Sequence, residues 1–80
     1  MKRGVQMLFE ALARHPEVTQ ADAARLLEID AAVLVRLRSG QQKVLMTESI
    51  GRINRGLKKM KEKAIPLVEW NREAEVETTG

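Results

Sequence analysis

Residues 19 to 40, TQADAARLLEIDAAVLVRLRSG, constrain the fold more than any other stretch of this chain. Thr19, with Asp22 three residues later, approximates a capping box: the hydroxyl accepts from a free helix amide and the acid reaches back to the Thr19 amide. A helix is therefore expected from Gln20, with Ala23, Ala24 and Leu27 on its inner face. The small alanines let a following helix cross at close range. After Glu28 and Ile29, Asp30 is a good N-cap for that helix. On it Val33, Leu34 and Leu37 point inward, Ala32, Val35, Arg36 and Ser39 point outward, and Gly40 stops it. The rest of the chain frames this unit.

Upstream, Val5, Leu8, Phe9 and Leu12 fall at i, i+3, i+4 and i+7, which predicts a first helix running to about Arg14. His15 precedes Pro16, and proline disfavours helical geometry in the residue before it, so His15 reads as helix-terminal and exposed. Downstream, Gln41 to Met46 reads as a polar loop whose apolar end, Val44 to Met46, tucks under the next helix, with Thr47 as that helix's cap. Ile50, Ile53, Leu57, Met60 and Ala64 alternate three and four apart, an amphipathic helix of about four turns with Arg52, Arg55, Lys59 and Lys63 opposite. Gly51 and Gly56 either weaken that helix or permit close packing. Pro66 interrupts the chain before a short apolar cluster, and Asn71 to Gly80 is too polar to order itself. The expected organisation is a helical domain over 1–64, an apolar segment over 65–70 and an acidic, disordered tail over 71–80.

An 80-residue chain suffices for one small domain with one core. With 44% hydrophobic but only 2% aromatic residues, the composition suits an all-α bundle of Ala, Leu, Val and Ile. The absence of cysteine excludes disulfides and thiolate metal sites, and a single histidine cannot hold zinc without several carboxylates, so no cofactor is expected. No apolar run is long enough for a signal sequence or a membrane span, and a cytoplasmic location is expected. An enzyme is not expected, because the carboxylates read as caps or tail residues and no glycine-rich nucleotide loop is present.

Charge is unevenly spread. Residues 41–63 carry seven cations against Glu48 and Glu62, a local +5, whereas residues 64–80 carry four glutamates against Arg72, a local −3. A basic middle before an acidic end points to a polyanionic partner, or simply to solvated surfaces.

Residues 20–40 resemble the lambda-repressor and Cro type helix-turn-helix domains. Gln20 stands where that family's second helix commonly begins with a phosphate-contacting glutamine, Ala24 where a small residue sits at the crossing, and Ile29 where a hydrophobe plugs the turn. Leu34 and Leu37 match buried positions of the recognition helix, Arg38, Ser39 and Gly40 match its closing segment, and IGRINRGLKKM resembles the fourth helix. The resemblance covers most of residues 5–63. It implies an all-α, compact bundle of four to five short helices with a central helix-turn-helix that binds duplex DNA in the major groove.

It further implies a DNA-binding set in which Gln20, Arg38, Gln41, Gln42 and Lys43 contact phosphates, Ala31, Ala32 and Val35 pack on thymine methyls and Arg36 reaches a guanine edge or a phosphate, with Ser39 in the same set. The sequence departs from the family at three places. Glu28 replaces a frequent turn glycine, a left-handed residue there costing about 1–2 kcal/mol. Ala31, Ala32 and Val35 replace polar readers, and Asp30 brings a carboxylate close to the phosphate path. Thin base reading from one copy favours a homodimer, with Ile65, Leu67, Val68 and Trp70 as its contact, although Trp70 serves equally well as core cover. The expected role is a small sequence-specific transcriptional regulator, a repressor of phage or mobile-element type. The competing expectation is a protein-interaction module that presents Ala31, Ala32 and Val35 to a protein partner. A third, a basic amphipathic helix on anionic membranes, is disfavoured because the apolar face of the fourth helix is needed for the core.

Overall fold

The structure is a computed structural model that describes residues 1–73. Five helices follow one another: α1 (Arg3–Ala13), α2 (Gln20–Leu27), α3 (Ala31–Ser39), α4 (Thr47–Lys59) and α5 (Leu67–Asn71). Among the described residues the fold is all-α, a small helical bundle with no strand beyond an isolated bridge between Lys2 and Glu73. No helix is long and apolar enough to cross a membrane.

Every helix contributes to one core. Val5, Leu8 and Ala11 of α1 meet Ala23 and Leu27 of α2, Leu34 and Leu37 of α3, and Ile50, Ile53 and Leu57 of α4, with Ile65 and Trp70 closing it from the C-terminal side. Phe9 and Leu12, expected to point inward beside Val5 and Leu8, are only half-buried at the rim, and Ala11 takes the interior position. A helix this narrow at its contact admits α3 close by, which a second bulky layer would not.

The close approaches are made at small residues. Gly56 of α4 lies against the backbone of Leu26 and Leu27, so that α2 and α4 touch through main chain. Gly51, one and a half turns earlier, faces open space. Of the two readings of these glycines, close packing holds at Gly56 alone. Gly4 plays the matching part in α1: a Cβ there would meet the Trp70 ring at 2.5 Å.

Helix ends follow the sequence closely at α2 and depart from it elsewhere. Thr19 Oγ1 accepts from the Asp22 amide at 3.1 Å, but the Asp22 carboxylate turns to Arg25 (3.0 Å) rather than back to the Thr19 amide. Asp30 occupies the N-cap position of α3 with no side-chain cap hydrogen bond. Thr47 is not the cap of α4 but its first residue; Met46 stands at the cap, and α4 ends at Lys59, leaving Ala64 exposed beyond it. Of the three residues expected to tuck under α4, only Leu45 packs against the core; Val44 and Met46 are 64% and 72% exposed. A three-residue run cannot turn every side chain inward when the backbone is extended.

Two helices close in the same way on a left-handed residue that is not glycine. At the end of α2, Glu28 has φ 54°, its amide donating to Arg25 O and the Ile29 amide to Ala24 O. At the end of α4, Lys61 has φ 61°, its amide donating to Lys58 O and the Glu62 amide to Leu57 O. Each paired closure satisfies carbonyls that the helix end leaves free, against a cost of about 1–2 kcal/mol for the left-handed side chain.

The segment after α4 is held by a contact invisible in the sequence. Asn54 Nδ2 donates to Ile65 O (3.0 Å) and its Oδ1 accepts from the Ile65 amide (2.8 Å), which fixes Ile65 in the core. The chain then reaches α5, which packs across α1. Asn71 to Glu73, expected to belong to a disordered tail, are placed: Arg3 donates its amide to Arg72 O at 2.7 Å and Lys2 Nζ meets Glu73 Oε1 at 2.7 Å. The remainder of that expectation, residues 74–80, lies outside the described residues.

Candidate nucleic-acid interface

The turn Glu28–Ile29–Asp30 aims α3 away from α2. Ile29 is half-buried beneath the turn, and Leu34 and Leu37 anchor α3 to the core. At about 100° per residue, this anchoring presents Ala31, Ala32, Val35, Arg36 and Ser39 outward on the opposite side. All five are exposed, Val35 at 48%. The outward strip is thus apolar along Ala31, Ala32 and Val35.

The cations flank the strip rather than filling it. Arg36 and Arg38 point about 160° apart around the axis, given their two-residue spacing. Arg36 Nε donates to Gln42 Oε1 at 3.3 Å, and the Gln42 amide donates to Arg36 O at 3.1 Å, so Arg36 and the following loop form one unit. Gln42 also donates from Nε2 to Val44 O (3.3 Å), which leaves Gln41 and Lys43 as the exposed polar side chains of the loop. Arg38 leans the other way, its guanidinium 4.9 Å from the centroid of the Phe9 ring. That position explains why Phe9 stays at the rim: its face carries a cation, a contact of about 0.5–1 kcal/mol at an exposed site.

Gln20, first residue of α2, and Arg38 line one groove of about 260 Å³ together with Phe9, Val18 and Thr19. The sequence candidates therefore gather into two groups. Gln20 and Arg38 stand on the α1–α2 side of α3, and Arg36, Gln41, Gln42 and Lys43 on the loop side, with Ala31, Ala32 and Val35 between them. Ser39 is less free than expected, because its Oγ donates to the Arg36 carbonyl at 3.2 Å. From Ala31 to Thr47 the chain holds Arg36, Arg38 and Lys43 and no carboxylate. Asp30, without a cap bond, adds one negative charge at the α2–α3 corner.

The C-terminal apolar residues separate by burial. Ile65 (3% exposed) and Trp70 (4%) are core residues and cannot serve as the expected dimer contact; of the four, Leu67 (52%) and Val68 (66%) alone reach solvent. The half-turn between Val68 and Trp70 on a helix docked against α1 puts them on opposite sides.

A charged cluster that sequence reasoning missed supports the Gln20 side. Glu62, only 14% exposed, accepts from Arg14 Nη2 (2.7 Å) and Nε (3.3 Å) and from His15 Nε2 (2.7 Å). His15 Nδ1 faces Glu17 Oε2 at 3.6 Å. His15 is therefore a half-buried bridge between the α1–α2 corner and the segment after α4, not an exposed helix end. A separation of 47 residues leaves no local signal for it.

Hydrogen bonds from Arg14 and then His15 lower the Glu62 carboxyl from its ordinary 4.5 to about 2. A carboxyl depressed on folding contributes stability that is complete above 4.5 and lost as pH falls towards 2. Glu62→Gln should accordingly lower the melting temperature near neutral pH. Its difference from the unsubstituted protein should shrink below pH 4.5 and vanish near 2, as read from thermal melts by circular dichroism. A difference independent of pH would show that Glu62 acts by shape alone. Glu73 is lowered by the Lys2 ammonium beside it, with smaller help from the N-terminal amine and from Lys43, and contributes with the same sign.

Comparison with protein-family models, curated proteins and solved structures finds no match.

Proposed function

We infer that this chain is a small DNA-binding regulator in which α2, the turn and α3 act as a helix-turn-helix, with α3 entering the major groove. The observation that carries this reading is the outward side of α3: an exposed Ala31–Ala32–Val35 strip flanked by Arg36 and Lys43 on one side and by Gln20 and Arg38 on the other, with the carboxylates of Glu28 and Asp30 confined to the turn at its corner. Two phosphate strands border a major groove, and a cation on each flank of the inserted helix suits that geometry. Val35 and the alanines are suited to thymine methyls, and Arg36 to a guanine edge or a phosphate. The apolar strip discriminates modestly, so a homodimer meeting through Leu67 and Val68 is part of the proposal, as is the repressor type suggested by the family resemblance.

Selection of a duplex from random sequence, followed by titration at several salt concentrations, tests the reading. Arg36→Ala with Lys43→Ala should weaken binding about 10- to 100-fold at low salt and reduce the salt slope by about two, as expected for two phosphate-range cations removed. Undetectable binding at low salt, or binding unchanged by the double substitution, would refute it.

The exposure of Val35 favours one second reading, a protein-interaction module that uses the same strip. A stoichiometric protein partner, lost on Val35→Glu while DNA binding is absent, would select it over the first.

A further inference from the structure

Helix α4 turns to solvent a surface that the α3 reading does not use. Its inward side is fixed by the buried Ile50, Ile53, Gly56 and Leu57. At about 100° per residue, Gly51, Arg55 and Lys58 then fall along one outward line, with Lys59 beside it. Arg55, Lys58 and Lys59 are exposed, and Gly51 carries no side chain and faces open space. Lys61 and Lys63 continue the exposed cations past the helix end. From Ser49 to Lys61 the sequence holds Arg52, Arg55, Lys58, Lys59 and Lys61 and no carboxylate.

Ion pairing sets this surface apart. Lys2, Arg14, Arg25 and Arg72 each meet a carboxylate at 2.7 to 3.3 Å. Among the described residues Lys58, Lys59, Lys61 and Lys63 meet none, and Arg55 has only Glu28, at 3.9 Å and without a hydrogen bond. Glu62, between Lys61 and Lys63 in sequence, is turned to Arg14 and His15. Glu48 stands in the first turn of α4, about 15 Å along the axis from Lys58.

The spread of the charges selects the ligand. Cations distributed over about 10 Å of axis from Arg52 to Lys59 match a phosphate strand, which carries its charges in series, better than one small anion. Lysines predominate, and as point charges they contact phosphate without reading bases. A bilayer is the poorer match, because α4 buries its apolar residues in the core and keeps none to insert. Helix α2 touches both α3 and α4, and Leu34 and Leu37 of α3 share one core with Ile53 and Leu57 of α4. The outward sides of α3 and α4 therefore both face away from that core.

We propose that the outward side of α4, centred on Arg55, Lys58 and Lys59, is a second, sequence-independent contact for the phosphate backbone of a duplex, so that one molecule holds two duplex segments, one on α3 and one on α4. The bridging rests on the DNA-binding reading of α3, whereas the α4 contact does not.

The test uses the full chain. Binding of a random-sequence duplex at about 50 mM salt should survive Arg36→Ala with Lys43→Ala. It should fall at least about 10-fold when Arg55→Gln, Lys58→Gln and Lys59→Gln are added, with a salt slope lower by about three, since each neutralised phosphate contributes about 0.9. On immobilised selected duplex, the unsubstituted protein should capture a second, labelled duplex. The three α4 substitutions alone should reduce that capture at least about fivefold while the protein keeps its place on the first duplex. Gly51→Glu, which sets a carboxylate on the same line where there is open space, should reduce capture in the same sense.

Loss of random-duplex binding together with loss of capture establishes the contact and the bridge. Random-duplex binding that depends on α4 in a protein for which no duplex can be selected sustains the contact and refutes the α3 reading alone. Binding that depends on α4 without capture overturns the bridge, because α4 would then share the duplex held by α3. Random-duplex binding that is absent, or indifferent to the α4 substitutions, overturns the proposal, as does α4-dependent binding to phosphatidylserine vesicles in preference to duplex.

Discussion

Gly56→Ala is expected to destabilise the protein by about 3 kcal/mol, whereas Gly51→Ala, in the same helix, is expected to stabilise it by about 0.5–1 kcal/mol. Both substitutions relieve the entropic disadvantage of glycine in a helix interior. The difference lies in what the new methyl meets. At Gly51 it meets open space. At Gly56 it falls well inside contact distance of the Leu26 carbonyl oxygen and 2.8 Å from that carbonyl carbon, and 2.9 Å from Leu27 Cα. These are backbone atoms of a helix anchored by the fully buried Leu27, so relief requires α2 and α4 to separate. Denaturant titration of the two variants reads both signs. Equal effects would mean that α2 and α4 do not touch through their main chains.

Trp70→Ala should cost about 3–5 kcal/mol, the range for emptying a large buried aromatic site. Trp70 is 4% exposed and lies over Gly4, where α5 crosses α1. Its indole Nε1 is buried without a hydrogen-bond partner among the described residues. An orphaned donor costs about 1–3 kcal/mol, and Trp70→Phe removes it together with part of the apolar ring surface. The two effects oppose each other, so that variant should fall within about 1 kcal/mol of the unsubstituted protein. Denaturant titration reads both variants, and a loss below about 1 kcal/mol on Trp70→Ala would mean that the ring does not fill the core.

Fold class is legible in the sequence because it depends on periodicity. Apolar residues three and four apart mark α1 and α4, and Thr19 and Gly40 bracket the α2–α3 unit at the residues where the structure begins and ends it. The departures share a cause. Thr47 is a plausible cap and Asp30 a plausible capping side chain, but several adjacent residues satisfy the same local rule, and tertiary packing selects among them. Phe9 fits the inner face of α1 as well as Ala11 does. Only the approach of α3 and Arg38 decides which turns inward.

The candidate interface is legible as a set of residues and not as an arrangement. Outward positions on α3 follow from its inward leucines, so Ala31, Ala32, Val35 and Arg36 are readable. That Arg36 and Arg38 diverge to opposite flanks, each held by a neighbour, depends on Gln42 and Phe9, and Phe9 is 29 residues from Arg38 in sequence.

What the sequence determined by itself is therefore local: where helices start, which side of each is apolar, and that α2 ends against a turn without glycine. Such features need only a few neighbouring residues, whose spacing carries the information. The tertiary structure alone decided the pairs far apart in the chain. Glu62 joins Arg14 and His15, Asn54 holds Ile65, Gly56 admits the α2 backbone, and Glu73 comes to rest on Lys2. Each depends on how rigid helices pack around one core, a property no single segment possesses.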